Sequence, residues 1–238
     1  MGLKTMLHLG FYFIQFLGVF VVSAQNTLNP SELKKDFQLF RTALEEAHPG
    51  IYRYAAKSSM DGSFESVVKK LDQPITQQEF YKILNPVLTK IGCGHTKLMP
   101  SEDKGFMYYY NWETLFPLKL FLDKNRAYVR YSYDTRVKLE PGTEITAING
   151  MGMDKIIEGL LNNLFSDGHN QTFKHSELNR YFNALFSNFY LEEGKAYNQF
   201  NITYKHRGRK GSMNLPSVSY QTVMQHDTAE QNSIPYQL

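Results

Sequence analysis

Leu88-Thr89-Lys90-Ile91-Gly92-Cys93-Gly94-His95-Thr96-Lys97-Leu98 marks the point at which this chain changes its hydrophobic period. The segment leading into it is apolar at helical spacing, and a region of alternating, strand-like pattern follows. Glycines on both sides of Cys93 free the backbone to turn tightly, because a residue without a Cβ adopts φ > 0 without a clash. The turn presents one imidazole, His95, beside one hydroxyl, Thr96. An imidazole titrates near neutral pH, which makes His95 a candidate general base. The alternative is a loop histidine hydrogen-bonded to backbone, since a motif stays a hypothesis until its structural context is known.

Upstream of the turn the pattern is helical. Asn29-Pro30-Ser31-Glu32 reads as a helix start, with Asn29 capping, Pro30 in the first helical position and Glu32 where a capping-box acid belongs. Leu33, Phe37, Phe40, Leu44 and Ala47 then share one face, and Lys34, Lys35, Arg41, Glu45 and Glu46 take the solvated side. His48-Pro49-Gly50 stops the helix, and His48 there complements the helix dipole. A second helix is expected from Ser63 to Leu71, with Phe64, Val67, Val68 and Leu71 inward. A third opens at Thr76-Gln77-Gln78-Glu79, a capping box, and carries Phe80, Ile83, Leu84, Val87 and Leu88. Pro86 lies inside that pattern, so a kink or break is expected near Asn85.

Downstream the period becomes two. Leu118, Leu120 and Leu122 alternate with Lys119, Phe121 and Asp123, and Asp123-Lys124-Asn125 turns the chain into Ala127-Tyr128-Val129-Arg130-Tyr131. Pro141-Gly142 leads into a short strand that ends at the Asn149-Gly150 turn. Asp154 to Leu164 is helical in pattern, and Leu178, Phe182, Leu185, Phe186 and Phe189 suggest another helix. Phe200-Asn201-Ile202-Thr203-Tyr204 and Met213-Asn214-Leu215 read as paired strands across a basic turn, His206 to Gly211. That turn reads as a solvated hairpin tip, because an anion site would want a helix N-terminus. Ser217 to Leu238 is polar and shows no pattern. Between the two halves, Ser101-Glu102-Asp103-Lys104 matches the bare Ser-x-x-Lys spacing of some acylating enzymes. Its acidic, proline-flanked setting would not leave the lysine neutral, so the match is read as coincidence.

Composition narrows the function. Basic and acidic residues number 26 and 23 among 238, a formal net of +3, which is not the footprint of a nucleic-acid surface. The N-terminus carries Lys4, an apolar run from Leu7 to Val22, and small residues at Val22-Ser23-Ala24 before Gln25. This is the pattern of a cleaved export signal over residues 1–24. The run is shorter than the ~20 residues a membrane span needs, so no stable span is expected once the signal is removed. The expected location is exported: periplasmic, cell-surface or secreted. Cys93 is the single cysteine, so no intramolecular disulfide is available and a hydrophobic core must hold the fold.

Two pieces carry a resemblance. Pro141-Gly142-Thr143-Glu144-Ile145-Thr146-Ala147-Ile148-Asn149-Gly150, followed by a helix, resembles the strand–turn–helix signature of PDZ domains. His48-Pro49-Gly50-Ile51-Tyr52 and Ile91-Gly92-Cys93-Gly94-His95-Thr96 resemble the N-terminal region of exported serine peptidases, the group of C-terminal processing peptidases and the tricorn protease core. The resemblance spans roughly Leu33 to Leu215. It implies an α+β chain, with a helical N-terminal domain (26–100) ending in the Gly-Cys-Gly-His turn and a PDZ-like β-rich domain (110–216) containing a helical insertion. Residues 217–238 would then be a tail or the start of a missing catalytic domain. In the tricorn-like branch the histidine of such a turn is the catalytic base, a position that falls on His95. Cys93 stands where that family often has aspartate.

The family's nucleophilic serine lies in a domain after the PDZ-like one, and no Gly-x-Ser-x-Gly elbow occurs in these 238 residues. Acyl transfer needs that nucleophile within hydrogen-bond reach of the base, so the chain alone is not expected to hydrolyse peptides. Cys93 could pair with His95 as thiolate and imidazole, but a glycine turn disfavours mutual aim and no third group is visible to orient the ring. Zinc would need three or four ligands and no second cysteine exists, so neither metal nor cofactor is expected. Two functions follow. One is the N-terminal segment of an exported serine-type peptidase, binding a peptide or unfolded protein substrate by β-augmentation, with His95 as base. The other is a non-catalytic secreted peptide-binding module in which His95 is structural. The residues lining a peptide groove are not legible in either case.

Overall fold

The computed structural model describes residues 27–98 and 113–233, with side chains through residue 228. The export signal read at residues 1–24 and the Ser101-x-x-Lys104 connector lie outside the described residues. The described residues form an α+β fold of six helices and antiparallel strands.

Helix α1 (Pro30–Ala47) begins where expected: the Asn29 side chain accepts from the Ser31 N–H, and Pro30 opens the first turn. Helix α2 (Lys57–Lys70) begins earlier than the Ser63 start read from the sequence. Met60 is the reason. It is fully buried and extends the apolar face Phe64–Val67–Leu71 by one turn, so burial carries the helix across Gly62. Helix α3 (Gln77–Ile91) has its capping box complete, with Thr76 Oγ1 accepting from the Glu79 N–H and the Glu79 carboxylate accepting from the Thr76 N–H.

The break expected near Asn85 does not occur: α3 runs through Pro86. Tertiary burial outweighs the lost hydrogen bond, because Leu84, Val87, Leu88 and Ile91 on both sides of the proline are all buried in one cluster. That cluster joins α1, α2 and α3 around Phe37 and Phe64. The two-residue strands β1 (Thr27–Leu28) and β2 (Ile75–Thr76) pair beside it.

A second, larger cluster belongs to the sheet. Its strands are β3 (Leu118–Asp123), β4 (Arg126–Ser132), β5 (Glu144–Ile148), β7 (Gln199–His206) and β8 (Arg209–Pro216), ordered β3-β4-β5-β7-β8 and antiparallel throughout. The short β6 (Met151–Gly152) folds back on β5 through Asn149 and Gly150, at φ 49° and 81°. Both residues being left-handed is what a two-residue hairpin turn of matching twist requires. The basic turn is tighter than the sequence suggested: only Arg207 and Gly208 leave the ladder, again with positive φ.

Alternation fixes the buried face of this sheet. Leu118, Leu120, Leu122, Ala127, Val129, Ile145, Phe200, Ile202 and Leu215 point into one core while Phe121 stands exposed. Helices α4 (Met153–Asn162) and α5 (Gln171–Tyr190) cover that face with Ile156, Ile157, Leu160, Leu178, Phe182 and Phe186. Helix α5 starts earlier than the expected Leu178–Phe189 stretch and is kinked at Tyr181 (φ −118°, ψ 22°).

The segment from Ser217, patternless in sequence, forms α6 (Tyr220–Ser233). It is anchored by a bridge between Leu115 and Val218, by a small cluster of Leu115, Tyr133, Val218 and Val223, and by Asp227. The Asp227 carboxylate accepts from the hydroxyls of Tyr131 (2.8 Å) and Tyr133 (3.0 Å), and His226 stacks on Tyr131. These contacts come from strands ~90 residues away, which is why α6 has no local signature.

The helical and sheet clusters meet along α3, through polar side chains, the Tyr81–Phe189 ring contact and Phe165. Buried Gln78 donates to the carbonyls of Asn188 and Leu191, and Lys82 donates to Leu191. Asn85 and Thr89 donate to the carbonyls at the end of α4, Asn163 and Asn162. This seam fixes the end of α3, and hence the Gly-Cys-Gly-His turn, against the loop that joins α4 to α5.

Candidate functional site

The turn begins where α3 ends. Gly92 is the C-cap in the left-handed region (φ 68°, ψ 37°), a conformation glycine takes without strain. Its carbonyl accepts from the Gly168 N–H (2.9 Å), and the Gly94 N–H donates to Asp167 Oδ1 (2.8 Å). Two consecutive residues of the α4–α5 loop therefore grip two alternate residues of the turn. The Tyr54 ring packs on the junction, so close that a Cβ at Gly92 would lie 2.8 Å from it and one at Gly168 3.1 Å. Both glycines are required by geometry. Gly92→Ala is expected to cost about 1–2 kcal/mol from the left-handed φ alone, read as a lowered urea midpoint. An unchanged midpoint would overturn the strain assigned to a side chain at this φ.

On this platform His95 is exposed, on the bend, far along the chain from the α1–α2 connection but adjacent to it in space through the Thr96–His48 hydrogen bond. His48, read from sequence as a helix-end residue, caps α1 and also reaches the turn. Its Nδ1 accepts from the Gly50 N–H (3.1 Å), which places the ring proton on Nε2, where it donates to Thr96 Oγ1 (2.9 Å). The Thr96 hydroxyl proton is then directed at the Cys93 sulfur. That hydrogen bond, helped by the backbone N–H groups of His95 and Thr96, holds the Cys93 thiol below its ordinary range, against burial and the Asp167 charge. Both ring nitrogens of His48 are thus engaged, while the His95 ring is exposed on the turn.

The structure also brings Asp167 to this point. One ligand-type atom each of Cys93, His95 and Asp167 lies within 4.8 Å of the others. The sequence reading found no third group near His95 and expected the glycine turn to aim Cys93 elsewhere. The structure differs on both: the turn converges the two side chains, and the acid arrives from a loop 72 residues later. Nothing local in the sequence ties Asp167 to Cys93. Beside the turn lies an open depression of about 500 Å³ lined by Tyr54, Ser59, Lys90, Gly92, His169 and Lys174. Its lysines give it cationic walls, although burial lowers the Lys174 pKa.

The expected peptide groove along the sheet is partly filled. On the β3 edge, Asn179 of α5 accepts from the Leu122 N–H (2.7 Å) and donates to the Leu122 carbonyl (3.0 Å). Asn183 donates to the carbonyls of Phe116 and Leu118. Two asparagines thus occupy hydrogen-bonding positions that an added strand would use, leaving β8 as the opposite edge. Among the described residues no helix is long and apolar enough to cross a membrane.

No protein-family pattern and no curated protein matches this chain. Solved structures do. Mature CPAF complexed with lactacystin aligns with a TM-score of 0.53 at 10% identity, over 87% of this chain and 39% of that one. A CPAF mutant with a serine replaced by alanine aligns with a TM-score of 0.52 at 12% identity, over 85% of this chain and 39% of that chain. CPAF is a chlamydial serine protease, and this chain spans about two fifths of the length of those structures. At such identities the likeness is one of fold: the described residues share the architecture of part of a serine protease.

Proposed function

We propose that this chain is the substrate-recognition and base-bearing segment of an exported serine-type peptidase of the C-terminal processing and tricorn-core kind, with His95 as general base. The observation that carries the reading is the braced turn. His95 is solvent-exposed on a bend fixed by Gly92, Gly94 and Thr96, with the Asp167 carboxylate beside it. A base needs an imidazole with an accessible nitrogen on a rigid support, and that arrangement is what such a turn supplies. The fold likeness to CPAF supports the same reading. The nucleophilic serine would come from outside the described residues. Peptide or unfolded protein would add as a strand on the β8 edge, because α5 engages the β3 edge, and the cationic depression beside His95 suits an acidic or carboxylate group of the substrate.

The test is made on the product of the gene's whole reading frame. A serine-directed covalent probe such as a fluorophosphonate is expected to label one serine and to abolish hydrolysis of an unfolded protein substrate in parallel. Absence of both labelling and hydrolysis would overturn the reading and leave a secreted peptide-binding module. Loss of hydrolysis on alkylation of Cys93 by iodoacetamide, with no labelled serine, would move the nucleophile to Cys93.

A further inference from the structure

The side chains of Cys93, His95 and Asp167 form a mixed sulfur, nitrogen and oxygen donor set that the peptidase reading does not itself require. We propose that these three residues bind a divalent transition-metal ion of the zinc class, and that the bound ion withholds His95 from proton transfer. The second half rests on the role of His95 as base; the first does not.

Three features point to the metal. The ligand atoms already lie within 4.8 Å of one another, and ligands about a tetrahedral zinc stand ~3.3–3.8 Å apart. His95 and Asp167 are both exposed, which leaves their side chains room to close that gap. Asp167 is oriented by the Gly94 N–H, which donates to its Oδ1, and a carboxylate has a second oxygen for an ion. The two loops that carry the ligands are already joined by the Gly168–Gly92 hydrogen bond, so little ordering remains to be done on binding. One thiolate, one imidazole and one carboxylate suit zinc or cobalt rather than magnesium or calcium, which want six or more oxygens. Three protein ligands leave a fourth position open to water or substrate. A ring nitrogen bonded to the metal has no lone pair for a proton, so metal occupancy and general-base action at His95 exclude one another.

The experiment uses the chain free of affinity tags and titrates it with cobalt(II). A thiolate-to-cobalt charge-transfer absorption in the near ultraviolet is expected to rise to a stoichiometric endpoint and to vanish when zinc is added. Cys93→Ser removes the band. Asp167→Asn keeps an oxygen for the Gly94 N–H, so the loop stays folded, yet it weakens cobalt binding by at least the ~10–100-fold recorded for changes one shell further out. Circular dichroism confirms that both variants remain folded. No band in the wild-type chain, or unchanged affinity in Asp167→Asn, would overturn the site. In the whole reading-frame product, zinc is expected to inhibit hydrolysis and to lose at least about tenfold in potency against Cys93→Ser; equal potency would overturn the regulatory half while leaving the peptidase reading intact.

Discussion

His95→Ala in the product of the whole reading frame is expected to lower kcat/KM for peptide hydrolysis by about 10²–10⁴-fold, the usual contribution of a positioned general base. The physical reason is that His95 is exposed on its turn, while the second imidazole nearby is committed. His48 accepts from the Gly50 N–H at Nδ1 and donates to Thr96 Oγ1 from Nε2, so it cannot take over the proton. The substitution removes an exposed side chain, and stability is expected to move by no more than the ~0.5 kcal/mol typical of surface positions. Activity loss without stability loss is therefore the signature. KM should change little, because the ring acts on the transition state rather than on the bound substrate. Unchanged hydrolysis in a folded His95→Ala protein would remove His95 from the chemistry and return it to the role of a structural loop residue.

Phe116→Ala is expected to destabilise the protein by about 3–5 kcal/mol, the range for truncating a fully buried phenylalanine. Phe116 is 0% exposed, and its ring lies 5.5 Å from Phe200, 5.9 Å from Phe186 and 6.0 Å from Phe182. It therefore ties the start of β3 to α5 and β7, and an alanine leaves a void that three large rings cannot close together. Where the loss falls also tests the division into helical and sheet domains read from the sequence. The two clusters are joined by polar contacts from Gln78, Lys82, Asn85 and Thr89, by the Tyr81–Phe189 ring contact and by Phe165, a partly polar seam of the kind across which units unfold separately. Amide exchange protection is expected to fall in β3–β8 while that of α1–α3 holds. A uniform loss would show that the α3 seam couples both cores into one cooperative unit.

How much of this protein could be read from its sequence differs from element to element. Capping chemistry was legible because it is local: Asn29 and Thr76 start α1 and α3 with the bonds their side chains suggest. Strand alternation was legible for the same reason, since a buried and a solvated face sort residues two apart, as in Leu118, Leu120 and Leu122 against Phe121. The hairpin turn at Asn149-Gly150 followed from residues that tolerate positive φ, whereas the pairing of β7 with β8 narrowed the basic turn to Arg207-Gly208. The α+β class, the helix-to-sheet order and the placement of His95 on a glycine turn were therefore properties of the chain itself.

Tertiary structure decided what depended on distant partners. Pro86 did not break α3, because burial on both sides outweighed one missing N–H. Helix α6 exists because Tyr131 and Tyr133 hold Asp227 from across the sheet. The β3 edge was filled by Asn179 and Asn183, which no strand pattern announces. Above all, Asp167 joined Cys93 and His95, and His48 joined Thr96, through contacts spanning 48 to 74 positions. Hydrophobic period and capping are set by neighbours along the chain, so sequence contains them. A functional constellation is set by which loops the packed cores bring together, and only the folded chain contains that.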